Sequence, residues 1–395
     1  MHVLNCPATW SVDVLGAAAD PAMTDQAIRA AVATAVAGPS LAEVARTRAN
    51  ACIVVDDLTR PTPIGDLLPA ILTTLAAHGI RRDAVTVVIA TGTHDGLTEA
   101  EIRLKLGSAY ADDLRVEVHD PAGDLVETPL TYGNAPLRLN RTFMASDLRI
   151  VVGSTLPHSF AGYGAGAKSV IPGLSDITAT ARTHKFVQMG LHRGTDSIQS
   201  QFRLEIEQLV RRIGVHYTVC VVPNAELKAA GVYAGDLVGA HRAASVHAAR
   251  SYATPLTRTY DALILNAYPK DTDVVQSTNA LLCLRGLARP PIKASGAVAV
   301  TSATSKGVGR HGLFSPGGAS YRIPRPIKTV PTEHLLLYLP NVGATEAHAH
   351  FWSGYPVVRN GDDLVAALRG IVPADAAIGV VPCAPLQQLD DHRHV

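Results

Sequence analysis

The chain has 395 residues, of which 47% are hydrophobic and 17% charged, and its formal net charge is +1. That balance gives no electrostatic case for nucleic acid or an anionic membrane surface, and the length exceeds one ordinary core, so two domains are expected. No apolar run reaches membrane-spanning length and Met1–Cys6 lacks the basic and apolar parts of a signal peptide, so a cytoplasmic location is expected.

Taken in order, the chain first predicts a helix over Asp25–Ala37, a Gly-Pro-Ser break and a short helix at Leu41–Ala45. Ala51–Val55 is an apolar strand that ends in Asp56-Asp57-Leu58-Thr59-Arg60-Pro61-Thr62-Pro63. Two prolines bar an immediate helix, so polar side chains are presented on an extended turn. A helix over Ile64–His78 follows, then a strand over Ala84–Ala90 that ends in Thr91-Gly92-Thr93-His94. Thr98 with Glu101 is a capping-box signature. A strand around Leu114–Val118 and a variable stretch lead to the apolar strand Leu148–Val152. It runs into the glycine-rich turn Pro157–Lys168, which continues through Pro172-Gly173 to His184.

Beyond the turn, a charged helix is expected at 201–213, a strand at Thr218–Val222 and a long Ala-rich helix at Leu237–Tyr252. Further strands are expected at Ala262–Asn266, Val298–Val300 and Leu335–Leu339, with a Pro/Arg-rich loop at 322–331 and a helix at Asp362–Gly370. The repeated order of strand, polar loop and helix argues an α/β fold with largely parallel sheets. The expected layout is an N-terminal α/β domain over 1–250 and a second α/β domain over 258–360. Helical connectors at 237–257 and 361–371 act as hinges, and 372–395 returns to the first domain through a strand at Ile378–Val381. The active site is expected in the interdomain cleft. Ligands of such sheets gather outside the carboxyl ends of the strands, where Asp57–Arg60, Thr91–His94 and His158–Lys168 converge.

Each of these loops has a plain structural reading and a chemical one. Arg60 either salt-bridges Asp56 or Asp57 to lock its turn, or offers a planar fork to a carboxylate or phosphate. His94 and His158 are each unremarkable as single hydrogen-bonded histidines; together, in convergent loops, they suit acid–base work near neutral pH. Gly162, Gly164 and Gly166 let the backbone approach a ligand and turn its N–H groups inward, as in a phosphate cradle. Neither Gly-Lys-[Ser/Thr] spacing nor Gly-x-Gly-x-x-Gly is present. Lys168 is open to three readings: phosphate ligand, Schiff-base nucleophile or surface lysine. The five cysteines are scattered with no Cys-x-x-Cys pair and suit buried reduced thiols, while His392 and His394 read as a frayed tail.

Together, Asp57-Leu58-Thr59-Arg60-Pro61-Thr62-Pro63, Ala90-Thr91-Gly92-Thr93-His94 and Pro157–Lys168 resemble the signature loops of the nickel-dependent lactate racemase family. The likeness extends through Ile171-Pro172-Gly173, Phe202–Glu207 and Ala234-Gly235-Asp236, and thins in the second domain. It implies a racemase or epimerase of 2-hydroxy acids that moves the α-hydrogen as hydride. It also implies a nickel pincer nucleotide, a pyridinium-3,5-bisthiocarboxylic acid mononucleotide holding Ni, attached covalently at Lys168. By the same resemblance His184 ligates the metal, and His94 and His158 are the two catalytic bases. Arg60 binds the substrate carboxylate, while Asp57, Ser159, Gly164 and Gly166 lie at the cofactor. Enzymes that build the cofactor are implied as maturation partners, and a small 2-hydroxy acid as substrate.

One departure concerns the substrate. The family's racemases carry a glutamine followed three residues later by a lysine; here Gln276 stands and Asn279 replaces the lysine. Losing that cation points away from lactate toward a larger or more hydroxylated acid, such as a sugar acid, unless Lys270 supplies the charge. The rivals are a one-way redox or epimerase reaction on a polyhydroxylated acid, and a non-catalytic cofactor carrier.

Overall fold

The computed structural model describes residues 4–186, 194, 200–328 and 330–390, so His392 and His394 lie outside the described residues. It divides into two compact units: a larger one over Asp20–Ser251, and a smaller one that combines the segment up to Ala19 with the chain from Tyr252 onward. Among the described residues no helix is long and apolar enough to cross a membrane. All five cysteines are free, and four of them are buried.

The larger unit is built on a six-stranded sheet in the order Ala229–Gly235, Tyr217–Pro223, Leu148–Ser154, Ala51–Asp56, Val85–Ala90, Arg115–Val118. The first pair is antiparallel and the others are parallel. Every residue of Ala51–Asp56 is buried, as a strand covered on both faces requires. Ile53 and Val55 enter one core with Leu67, Ile71 and Leu75 of the helix Ile64–Ala77. Cys52 and Val54 enter the opposite core with Phe202, Ile206 and Val210 of the helix Gln201–Ile213. The period-2 alternation of the strand therefore serves two hydrophobic layers.

The expected α/β class holds, and several boundaries move for local reasons. The first helix stops at Ala33, because Ala35 bridges to Ala234 and the Val36 amide donates to the Ala234 carbonyl at 2.8 Å. The variable stretch contains an antiparallel pair, Leu125–Tyr132 with Ala135–Asn140, and a short helix over Arg141–Ala145. Thr98 and Glu101 form the expected capping box.

The smaller unit has its own parallel sheet, in the order Ser11–Val14, Ala377–Val381, Tyr260–Asn266, Ile292–Thr301, His334–Tyr338, Val357–Val358. This corrects the expected layout, because the strand at 377–381 does not return to the larger unit. It lies between Ser11–Val14 and Tyr260–Asn266, where Gly379 leaves room for Leu263: an added Cβ would lie 2.5 Å from Leu263 Cδ2. Nor are the two helices connectors. Gly239–Ser251 packs on Tyr217–Pro223 and Ala229–Gly235 and buries Ala240, Ala244 and Ala248, a small-residue stripe at helical spacing that its Ala-rich sequence had hidden. Gly361–Arg369 buries Leu364, Val365 and Leu368 in a core with Ala262, Ile264 and Leu336 of the smaller unit's sheet.

Candidate active site

Three loops leave the carboxyl ends of parallel strands in the larger unit, as expected. In the first, buried Asp57 accepts from the Thr59 amide at 3.0 Å and the Thr59 hydroxyl at 2.5 Å through Oδ1. Its Oδ2 lies 2.6 Å from His94 Nδ1. Burial pushes the Asp57 carboxyl up, but the His94 ring, the Arg60 guanidinium and the Thr59 hydroxyl outweigh it and hold it well below the usual carboxylate range. Arg60 Nη1 donates to the Thr59 hydroxyl at 2.9 Å and the Thr59 carbonyl at 3.2 Å. The cation bound to Asp56 is not Arg60 but Lys105, with Nζ 2.7 Å from Asp56 Oδ1.

The second and third loops meet at Gly173. Its carbonyl accepts from the Gly92 amide at 3.1 Å, and its amide donates to the Lys168 carbonyl at 3.3 Å. A Cβ at position 173 would lie 2.1 Å from the Ser169 carbonyl oxygen, so only glycine fits the close of this turn. Gly173→Ala is expected to lower stability by about 1–3 kcal/mol or more, read as a drop in Tm. An unchanged Tm would show that the contact relaxes without cost.

The glycine-rich turn is held from behind by buried groups. Arg203, fully buried, donates through Nε to the Ala161 carbonyl at 3.2 Å, through Nη1 to Ala165 at 3.4 Å, and through Nη2 to Ala161 and Tyr163. His241 Nε2 donates to the Gly164 carbonyl at 2.9 Å. A Cβ on Gly164 would lie 2.9 Å from the Ser154 carbonyl, and Gly166 has φ +59° with the His241 ring beside it. These two glycines are therefore required by the turn's packing on its own scaffold. Ser159 is partly exposed in the same turn.

The two histidines are held in opposite tautomers. The carboxylate of Asp57 faces Nδ1 of His94, which places the ring proton there and leaves the lone pair at Nε2. Nδ1 of His158 instead accepts from the Phe160 and Ala161 amides at 3.5 and 3.3 Å, which places the proton at Nε2. Phe160 joins the third histidine to this group, with its ring centroid 4.7 Å from that of His158 and 5.8 Å from that of His184. His184 lies near the end of the helix Ile177–Lys185, capped by Asp176, and its Nδ1 donates to the Thr180 carbonyl at 2.8 Å. Withdrawal from water pushes its pKa down to about 4, opposed by the bond to the Thr180 carbonyl and reinforced by the Lys168 ammonium and, whenever it is protonated, the His94 ring. The ring is thus neutral at pH 7 with its lone pair at Nε2. Lys168, partly buried, is pushed down to about 7 by desolvation and then by Arg60 and Arg203, against the pull of Asp57 and Asp56.

The remaining expected residues belong to the smaller unit. Gln276 is buried in the short helix Val274–Ser277, capped by Asp273, and Asn279 Nδ2 donates to the Gln276 carbonyl at 2.8 Å. Lys270 is buried at 4% exposure, not turned to solvent. Among the described residues no group of three or more His, Cys, Asp or Glu side chains is placed to hold a metal ion. Sequence reasoning missed Lys105 and Arg203. No hydropathy signal could have found Lys105, because Leu104 is 76% exposed while Lys105 is 6% exposed.

Residues 2–195 match the family described as the lactate racemase N-terminal domain. The lactate racemase of Thermoanaerobacterium thermosaccharolyticum is 23% identical over 295 residues, covering 73% of this chain and 67% of that protein. That of Lactiplantibacillus plantarum is 24% identical over 285 residues, covering 71% of this chain and 66% of the relative. The solved lactate racemase apoprotein of T. thermosaccharolyticum superposes with a TM-score of 0.72 at 18% identity, covering 93% of each chain. A Thermotoga maritima protein superposes with a TM-score of 0.69 at 15% identity, covering 94% of this chain and 99% of that one. At these identities the structural likeness speaks for the fold.

Proposed function

The chain belongs to the lactate racemase family, and from that membership we propose that it is an isomerase interconverting stereoisomers of a 2-hydroxy acid, with a nickel pincer nucleotide tethered at Lys168. The observation that carries this reading is the pair His94 and His158 in opposite tautomers beside Arg60 and a lysine amine pushed down to about 7.

The residues fit that group. A lysine whose amine is about half free base at neutral pH suits a covalent tether. His184, neutral and with Nδ1 occupied by Thr180, offers one metal donor at Nε2. With no cluster of three ligating side chains among the described residues, the other donors would come from the cofactor itself. Bound there, the group would supply a hydride acceptor and donor for the substrate's α-carbon, which avoids a carbanion beside a carboxylate.

The side chains do the rest. Arg60 binds the substrate carboxylate through its guanidinium. His94, oriented by Asp57, takes the substrate's hydroxyl proton at Nε2, while His158 offers its Nε2–H to substrate oxygen. For the opposite enantiomer the roles exchange: His158 gives up its Nε2 proton to solvent and takes one at Nδ1 as it releases the Phe160 and Ala161 amides, whose 3.5 and 3.3 Å bonds hold it weakly, while His94 donates the proton it has gained at Nε2. Intact bases disfavour a mere cofactor carrier, which needs only Lys168 and His184. A sugar acid is the second reading for the substrate, favoured by the uncharged Asn279 amide where the family's racemases have lysine. Maturation would need the enzymes that build the cofactor, encountered in the cytoplasm.

The test is a panel of 2-hydroxy acids given to protein co-produced with those enzymes and scored by chiral chromatography. Interconversion with little deuterium entering the α-position from heavy water is expected. Full α-labelling would sink the hydride route, and a nickel-loaded protein inert on the whole panel would make it a carrier.

A further inference from the structure

Beneath the loop of Asp57 and Arg60 lies a buried ion pair that the proposed reaction does not use. Lys105, at the end of the helix Glu99–Leu106, has a side chain only 3% exposed. Its Nζ donates to Asp56 Oδ1 at 2.7 Å, to the Asp57 carbonyl at 2.9 Å and to the Arg60 carbonyl at 2.8 Å. All three ammonium donors are thus spent on one short turn. The other oxygen of Asp56 accepts from the Thr62 hydroxyl at 2.5 Å and the Ser154 amide at 3.1 Å, which ties the turn to the neighbouring strand.

The turn needs an outside donor for a reason visible in its sequence. Pro61 and Pro63 have no N–H, and the turn's own backbone bonds are the Arg60 amide to the Asp57 carbonyl at 3.2 Å and the Ile64 amide to the Thr62 carbonyl at 2.9 Å. A lysine is rarely buried unless paired, and a buried ion pair by itself is weak evidence for stability. Here two of the three bonds go to the carbonyls of the two residues assigned to carboxylate binding and histidine orientation.

We propose that Lys105 is a positioning residue, which sets the backbone of the Asp57–Arg60 turn so that the Arg60 guanidinium and the Asp57 carboxylate are presented together. The inference rests on the roles given above to Arg60 and His94. It adds a residue on a different helix, buried below the site, that touches no substrate.

Two variants test it, Lys105→Met and the double variant Lys105→Met/Asp56→Asn, which removes the charge the first would leave buried and so restores folding. In holoenzyme, KM for the hydroxy acid is expected to rise roughly tenfold or more in both, with a smaller change in kcat. Tm is expected to fall in the single variant and recover in the double. Amide hydrogen exchange over residues 57–63 of the full chain without cofactor should quicken in both. A folded double variant with the KM and the exchange of the parent protein overturns the proposal, since a merely structural lysine would move Tm alone. Parent holoenzyme that turns over no hydroxy acid defeats the functional reading only, and the exchange measurement then decides the role of Lys105.

Discussion

Protein co-produced with cofactor-making enzymes is expected to carry a covalent adduct on Lys168, and Lys168→Ala to carry none and to lose roughly 10³-fold or more in turnover. Intact mass and the chiral assay read the two effects separately. The tether depends on the free amine, whose fraction grows as pH rises through about 7, the value to which burial and the neighbouring guanidinium groups push Lys168. Loading at limiting time should therefore climb between pH 6 and 8 and then level off; a climb continuing toward pH 10 would show an ordinary lysine. The same shift has a stability consequence with a definite sign. Above about pH 7 the folded chain has released a proton that the unfolded chain keeps until about 10.5, so the cofactor-free protein gains stability across that window as pH rises. Lys168→Met should lack that rise. An adduct that survives Lys168→Ala would place the tether elsewhere.

The second large effect is expected from Asp57→Asn, which should cut kcat by roughly 10²–10⁴-fold while the fold is kept. The asparagine fills the same space, but it no longer requires a proton at His94 Nδ1, and the lone pair at Nε2 is no longer guaranteed. Asp57 is held well below the usual carboxylate range, so it stays ionised through the working pH range and its stabilising contribution is lost only in strong acid. The acid limb of the rate profile therefore does not belong to Asp57. A variant with kcat within threefold of the parent protein would remove the Asp57–His94 pair from the mechanism. Circular dichroism and Tm distinguish that outcome from unfolding.

Much of the site was readable because its parts lie at ends of strands that advertise themselves. Ala51–Asp56 and Leu148–Ser154 are apolar, β-branched runs that stop at polar or glycine-rich turns, and His94 follows a third such strand. What escaped lies where burial and hydropathy part company. Lys105 and Arg203 are charged residues in the interior, held by partners distant in sequence: the Asp56 carboxylate, 49 residues away, for Lys105, and the Ala161 carbonyl, 42 residues away, for Arg203. The pair Leu125–Tyr132 and Ala135–Asn140 does carry an alternating pattern, with Leu125, Thr128, Leu130 and Tyr132 buried, but Thr128 and the proline beside it blur the apolar signal. The domain layout failed for a different reason: a strand of four residues, Ser11–Val14, with three of them exposed or nearly so, gives no clue to the partner it joins at Ala377–Val381.

That pairing has a consequence for how the protein is made. The larger unit, Asp20–Ser251, is complete in itself, and its two ends are tied together where the Ser251 hydroxyl and His247 Nε2 meet the Asp20 carboxylate. On the ribosome it can close its sheet as soon as Ser251 has emerged. The segment before it cannot: Ser11–Val14 is among the first residues synthesised, yet the strand it lines up with is among the last. The smaller unit therefore matures only after synthesis is nearly finished, when the larger unit is already folded.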